Sequence, residues 1–323
     1  PPLGRPAQFS LDSVQCVHPF SFACLWLTTS RKAGGMIRVT DLALPLGHAP
    51  QDLETALCAR LGIAPAELVR FTVARRGNDA RRKTAIKLVY SLDAVVTDEA
   101  AVLARHAGDS HVRPTPDTTY RFPVRAPEGW NGTRPVVIGA GPCGLLAALV
   151  LAQMGFKPII IERGKAVRER TKDTWGLWRR SVLDPESNVQ FGEGGAGTFS
   201  DGKLYSRIKD PRHLGRKVLT EFVKAGAPED ILTEAHPHIG TFRLVTMVMS
   251  IRETIEGLGG EYRFGTRVED FGRDADGKLT GLHLSTGEFL PASHVILAVG
   301  HSARDTFYKL HERGVHVEAK PFA

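Results

Sequence analysis

Residues Arg134 to Arg163 read RPVVIGAGPCGLLAALVLAQMGFKPIIIER, and the fold follows from how this stretch divides. Pro135-Val136-Val137-Ile138 is short, apolar and β-branched, as is a strand covered on both faces of a parallel sheet. It stops at Gly139. Gly139, Gly141 and Gly144 satisfy G-x-G-x-x-G, with Ala140, Pro142 and Cys143 between them. In such a turn the first glycine permits the reversal, the second lets backbone approach a pyrophosphate, and the third packs helix on strand. The anion sits on the N–H groups and positive dipole end of the helix that follows. Leu145, Leu146, Leu149 and Leu151 to Met154 supply the buried faces of that helix, and Gly155 closes it.

A second apolar strand, Pro158-Ile159-Ile160-Ile161, delivers Glu162. An acid there accepts hydrogen bonds from a ribose diol, and its charge disfavours a 2′-phosphate. A lone G-x-G-x-x-G is a weak signal. With a strand before it, a helix after it and an acid closing the next strand, it reads as a dinucleotide site.

The 323 residues suffice for two domains with separate cores. At 42% hydrophobic and 24% charged, the composition is that of a globular chain. No apolar run approaches bilayer length. The best, Phe20 to Leu27, is too short and lacks a basic leader, so neither a membrane span nor a signal peptide is expected. The net charge of +7 permits attraction to nucleic acid without requiring it. Cys16, Cys24, Cys58 and Cys143 show no C-x-x-C spacing, which points to a reducing, cytoplasmic setting.

Residues 1–35 have no period and are expected to be a disordered or non-native leader. From Met36 to Val124 a small α/β domain of ferredoxin-like type is expected. Leu53, Leu57 and Leu61 mark a helix ended by Gly62, Val69 to Val73 and Ala85 to Val96 read as strands, and Asp98 caps a helix through His106. Arg75 to Lys83 reads either as a basic patch for phosphates or as a solvated hairpin tip. The tip is preferred, because no aromatic residue is interleaved with the charges. Prolines and glycines between 114 and 132 mark the passage to the next domain, with the linker at 125–132.

Beyond Glu162, Arg168 to Arg180 reads as a helix with Trp175 and Trp178 in the core, and Arg163, Arg168 and Arg170 are within reach of a pyrophosphate. Asn188 to Leu204 is glycine-rich at an entropic cost that close backbone approach would justify. Its Phe191, Phe199 and Leu204 suggest contact with a flat apolar body such as an isoalloxazine ring. Helices at Pro211–Lys224 and Thr241–Leu258 precede strands at Tyr262–Phe264, Val268–Phe271 and Leu279–Leu284, with turns at Asp276-Gly277 and Thr286-Gly287. His294 to Gly300 reads as another buried strand and Ser302 to Asp305 as a helix start. His236-Pro237-His238 has no partner ligand in sequence, and no metal site is expected.

The order of these motifs resembles FAD-dependent oxidoreductases of the glutathione-reductase-like superfamily. The closer resemblance is to a family of uncharacterised bacterial FAD-dependent dehydrogenases. It rests on Leu183 to Leu204, Gly300 to Thr306, Asp79-Ala80-Arg81 and Val112 to Thr118, and extends from about Met36 to Ala323. The resemblance implies a Rossmann-like FAD/NAD(P)-binding domain of parallel sheet and β-meander over residues 133–323, with extended FAD. The pyrophosphate would lie at Gly139 to Gly144, the ribose at Glu162 and the adenine near Val268. The expected cofactor wall is Gly139, Ala140, Gly141, Pro142, Cys143, Gly144, Glu162, Arg163, Arg170, Gly194, Gly195, Gly197, Thr198, Val268, Ala298 and Gly300. Cys143 stands where alanine is usual in the family and is read as a small buried side chain. Family members continue further and carry a late Gly-Asp motif without counterpart here, so the chain is read as C-terminally truncated within a substrate domain.

The function implied is hydride transfer to FAD from a substrate or from NAD(P)H. His301, Arg304, Asp305 and Lys203 are candidates for chemistry, with helix capping an equal explanation for Ser302 and Asp305. Two rival readings are a nucleic-acid-associated protein, binding through Arg75 to Lys83, and a plain NAD-binding protein that holds its ribose with Glu162.

Overall fold

In the computed structural model the described residues are 35–206 and 208–319. Residues 1–34 of the expected leader, with Cys16, Cys24 and Phe20 to Leu27, lie outside them. Strands β1 (Ile37–Pro45), β2 (Leu68–Asp79), β3 (Lys87–Val96) and β4 (Val112–Pro114) form an antiparallel sheet in the order β2-β3-β1-β4. Helices α1 (Pro50–Leu61) and α2 (Glu99–Arg105) join β1 to β2 and β3 to β4, a split β-α-β arrangement. Alternate residues of β1, Ile37 and Val39, face inward onto Leu53, Leu57 and Leu61, which share one side of α1. Gly62, left-handed at φ 64°, ends α1, and the Asp98 carboxylate accepts the Ala101 N–H to start α2.

Strand β2 is longer than the alternation at Val69–Val73 suggests. Arg75 to Asp79 belong to it, and the solvated turn begins after Asp79. Cross-strand pairing with Lys87 to Ser91 carries these polar residues into the sheet. The Arg76 N–H donates to Thr233 O at 2.7 Å, its carbonyl accepts from Ala235 N at 2.8 Å, and its guanidinium pairs with Glu234. The edge of the sheet is thereby bridged at Arg76 by the later part of the chain.

The second half is built on a four-stranded parallel sheet of β5 (Val136–Ile138), β6 (Ile159–Ile161), β7 (Glu261–Arg263) and β11 (Val295–Leu297), in the order β11-β5-β6-β7. Helices α3 (Pro142–Gln153), α4 (Val167–Arg180), α5 (Leu214–Lys224) and α6 (Thr241–Gly257) lie between these strands in sequence. The meander β8 (Val268–Arg273), β9 (Leu279–Leu284) and β10 (Phe289–Pro291) precedes β11, and α7 (Arg304–Glu312) follows it. Two cores sandwich the sheet. Val137 and Ile160 face Leu145, Leu149, Ile251 and Ile255, whereas Val136, Ile138, Ile159 and Ile161 face Val268, Leu282, Leu284 and Leu290. That is why β5 and β6 are apolar at every position.

Two sequence expectations are corrected here. Trp175 and Trp178 are not core residues; they are 49% and 59% exposed. Helix α4 buries Val167, Arg170 and Thr174, a stripe at i, i+3 and i+7 that leaves both tryptophans outside it. Strand β11 is an edge strand and not a fully buried one, with Leu297 43% exposed.

Candidate nucleotide-binding cleft

A cavity of about 420 Å³ opens where β5, β6 and β11 end, lined by Ile138, Ile161 and Leu297 from the last turn of each strand. The carboxyl ends of parallel strands are where such folds place ligands. Gly139 turns the chain out of β5 at φ 100°, and a Cβ there would stand 2.4 Å from Ala298 O. A Cβ on Gly144 would stand 1.8 Å from Gly139 O, so both positions require glycine. Gly141 differs. Its φ is −71° and a Cβ would meet Gly195 Cα at 3.8 Å, an ordinary contact, so glycine here leaves open space on the cleft. Pro142, at the first helical position, has no N–H to satisfy, and the remaining N–H groups of the first turn of α3 have no intrahelical acceptor.

Cys143 is corrected. It is exposed on the cleft wall because the second position of α3 points into the opening. Ala140 and Gly144 lie behind that wall. The Ala140 N–H donates to Glu162 Oε2 at 2.7 Å and its carbonyl accepts from Gly194 N at 2.8 Å.

Glu162 is buried and lines the cleft, and its carboxylate organises the surrounding backbone. Oε1 accepts from Gly164 N at 2.8 Å and Gly192 N at 2.9 Å, while among the described residues Oε2 accepts only Ala140 N. One acceptor direction therefore remains on Oε2.

Arg170 is the second correction, because it is wholly buried and turned away from the cleft. Its guanidinium donates to Asn188 O at 2.7 Å, Val189 O at 2.6 Å and Glu193 O at 2.7 Å, and lies 4.8 Å from the Phe199 ring centre. Burial pulls its pKa down to about 10, so it stays cationic at neutral pH. It secures the glycine-rich segment. Within that segment Gly192, Gly195 and Ala196 reach the cleft, but Gly194, Gly197 and Thr198 do not. Gly194 instead makes room for the Thr198 hydroxyl, and Gly197 faces open space.

Arg163 does line the cleft, as do Val268, Ala298 and Gly300. Of the residues considered for chemistry, His301 is on the wall. Arg304 and Lys203 are not, and Asp305 is paired with Arg163. Neither Ser302 nor Asp305 caps α7, whose N-cap is Ala303 without a side-chain bond. Sequence reasoning missed Gln190, Thr266, Arg267, Thr306, Phe307 and Leu310. Their signal was present in part: Ala303, Thr306, Phe307 and Leu310 recur at i, i+3, i+4 and i+7 along α7, the spacing of one helix face. Among the described residues no cluster of His, Cys, Asp or Glu has metal-binding geometry. Among those residues, too, no helix is long and apolar enough to cross a membrane.

Residues 36–95 match a domain of unknown function (DUF8436), and residues 133–181 match an FAD binding domain family. An uncharacterized protein of Clostridium beijerinckii is 40% identical over 288 residues, covering 89% of this chain and 53% of its own length. The chain thus spans about half the length of this curated relative. Among solved structures, Thermovibrio ammonificans THI4 is 20% identical, with a TM-score of 0.39 over 57% of this chain and 64% of its own. A 3-ketosteroid-delta4-(5alpha)-dehydrogenase from Rhodococcus jostii is 14% identical, with a TM-score of 0.34 over 54% and 48%. OTEMO in complex with FAD and NADP is 18% identical, with a TM-score of 0.33 over 53% and 26%.

Proposed function

We propose that the cleft binds FAD and that the chain belongs to an FAD-dependent oxidoreductase. The observation that carries this reading is the cradle itself. Gly139 and Gly144 have no room for a Cβ, Gly141 leaves open space, and α3 opens on the cleft through Gly141, Pro142 and Cys143, at the helix end where first-turn N–H groups lack intrahelical acceptors. These groups would hold the pyrophosphate without a cationic side chain. The remaining acceptor direction on Glu162 Oε2 would take one ribose hydroxyl, and Val268 would border the adenine. The match of residues 133–181 to an FAD binding domain supports the same ligand.

When bound, FAD supplies two-electron hydride chemistry, with a substrate or NAD(P)H as the donor. The chain's own contribution is to hold and shield it. Arg170 fixes the glycine-rich segment through three carbonyls, Glu162 fixes the turn after β5 to that segment, and Ala303 at the N-cap of α7 lines the cleft with Phe307 and Leu310.

The basic stretch does not favour the nucleic-acid reading: two of its five basic residues are already paired, Arg76 with Glu234 and Arg81 with Asp79. The test of the FAD reading is a titration followed by flavin fluorescence, with Gly141→Val as control. Valine is tolerated at the Gly141 backbone angles but fills the space before α3. Saturable FAD binding that is lost in a folded Gly141→Val variant supports the proposal. Uptake of NADH but not FAD by the native chain would transfer the cleft to NAD.

A further inference from the structure

At the rim of the cleft the side chains of Asp305, Arg163, Glu186, Arg267 and Glu269 are joined in sequence by ion pairs. They come from α7, the segment after β6, the loop after α4 and the start of β8. Arg163 is central. Its Nε and Nη2 donate to Glu186 at 2.7 and 3.3 Å, and its Nη1 and Nη2 donate to Asp305 at 3.1 and 2.7 Å. The guanidinium face lies 4.4 Å from the Phe191 ring centre, and the side chain is 13% exposed. Four of its five N–H donors are therefore committed, and one face is covered.

Arg163 directly follows the acid that closes β6, which is the neighbourhood where an arginine accommodates a ribose 2′-phosphate in NADP sites. Here that arginine is already neutralised. Around it stand three carboxylates against two guanidinium groups, with Glu162 as a further carboxylate on the same cleft. A phosphate at the ribose would face uncompensated negative charge. To reach it, Arg163 would have to leave two carboxylates without their partner, at a cost that a single new ion pair does not offset.

We propose that Glu186 and Asp305 mask Arg163, so that the ribose end of the cleft accepts an unphosphorylated adenosine and rejects one carrying a 2′-phosphate. Glu186 and Asp305 are thus specificity-determining residues that act through Arg163. The inference rests on the nucleotide reading of the cleft and extends it to the choice of nucleotide.

The test compares two probes that differ only in the 2′-phosphate, adenosine 5′-monophosphate and adenosine 2′,5′-bisphosphate, by calorimetric titration of the full chain. The readout is the ratio of their affinities. The native chain should favour the monophosphate by about tenfold or more, and Glu186→Gln with Asp305→Asn should move the ratio toward the bisphosphate by about tenfold. Adding Arg163→Ala to that background should cancel the shift. Should the double variant fail to fold in a thermal melt, Asp305→Asn alone, at a half-exposed position, serves and should shift the ratio in the same direction. A native chain without preference, or an unmoved ratio in folded variants that still bind the monophosphate, overturns the masking. A native chain that binds neither probe overturns the masking, and if it takes up no FAD either, the nucleotide reading falls with it.

Discussion

Gly192 donates its backbone N–H to the carboxylate of Glu162 at 2.9 Å, across thirty residues of chain. The bond joins the end of β6 to the glycine-rich segment, and the same carboxylate holds the turn before α3 through Ala140. One side chain thus sets the relative position of three walls of the cleft.

Glu162→Gln tests that arrangement at constant volume. An amide presents one acceptor oxygen and one NH2 group, so at least one buried backbone N–H loses its acceptor and meets a donor instead. Each stranded N–H costs about 1–3 kcal/mol, which a urea unfolding curve resolves. A variant as stable as the native chain would show that the three bonds are not maintained in solution.

The glycines should separate sharply by position. Gly144→Ala places its methyl group 1.8 Å from Gly139 O and should cost about 3 kcal/mol or more, or prevent folding. Gly197→Ala meets nothing within 4 Å among the described residues and should be neutral or gain up to about 1 kcal/mol from the reduced entropy of the unfolded chain. Equal losses from the two would mean that the glycine-rich segment is packed differently.

Glu193 makes stability depend on pH. It is wholly buried, with Oε2 accepting the Val167 N–H at 2.8 Å and Oε1 at 3.4 Å from Arg252 Nε. Burial raises its pKa above 4.5. The Val167 hydrogen bond and then the Arg252 charge oppose that shift, and Glu256 and Glu162 add to it. A carboxyl raised on folding binds its proton more tightly in the folded state, so its contribution is present at low pH and is lost as pH rises from about 4.5 through the folded pKa. The stability of the native chain relative to Glu193→Gln should therefore fall with rising pH in that window. A difference that grows with pH would refute the sign.

Tyr262 is half-buried, with a buried hydroxyl that has no partner among the described residues, and its ring stacks on Phe264 at 5.4 Å between centres. Burial also pushes its pKa up, with the Glu193 charge adding to the shift. Tyr262→Phe keeps the ring and removes an unpaired polar atom. Its stability should match or exceed the native value to within about 1 kcal/mol. A larger loss would reveal a buried water bridging the hydroxyl to the neighbouring Glu193 and Arg252.

Much of the sheet and half of the cleft are local properties of the chain, and the sequence alone determined them. Two all-apolar strands, a glycine turn at Gly139 and an acid at Glu162 specify strand, turn, helix and strand through short-range sterics and periodicity. The helix caps at Gly62 and Asp98 are equally local. Tertiary structure decided what depends on distant partners. Arg170 and Arg163 are both arginines soon after β6. One is buried under the glycine-rich segment because the carbonyls of Asn188, Val189 and Glu193 converge on it, and the other lies on the cleft between Glu186 and Asp305. Trp175 and Trp178 are exposed because α4 turns a different stripe inward, and Cys143 is exposed because the opening of the cleft falls at the second position of α3. Residue type and spacing leave such choices open, since the same side chain is stable in either place until the partners that neutralise or cover it have been brought together by the fold.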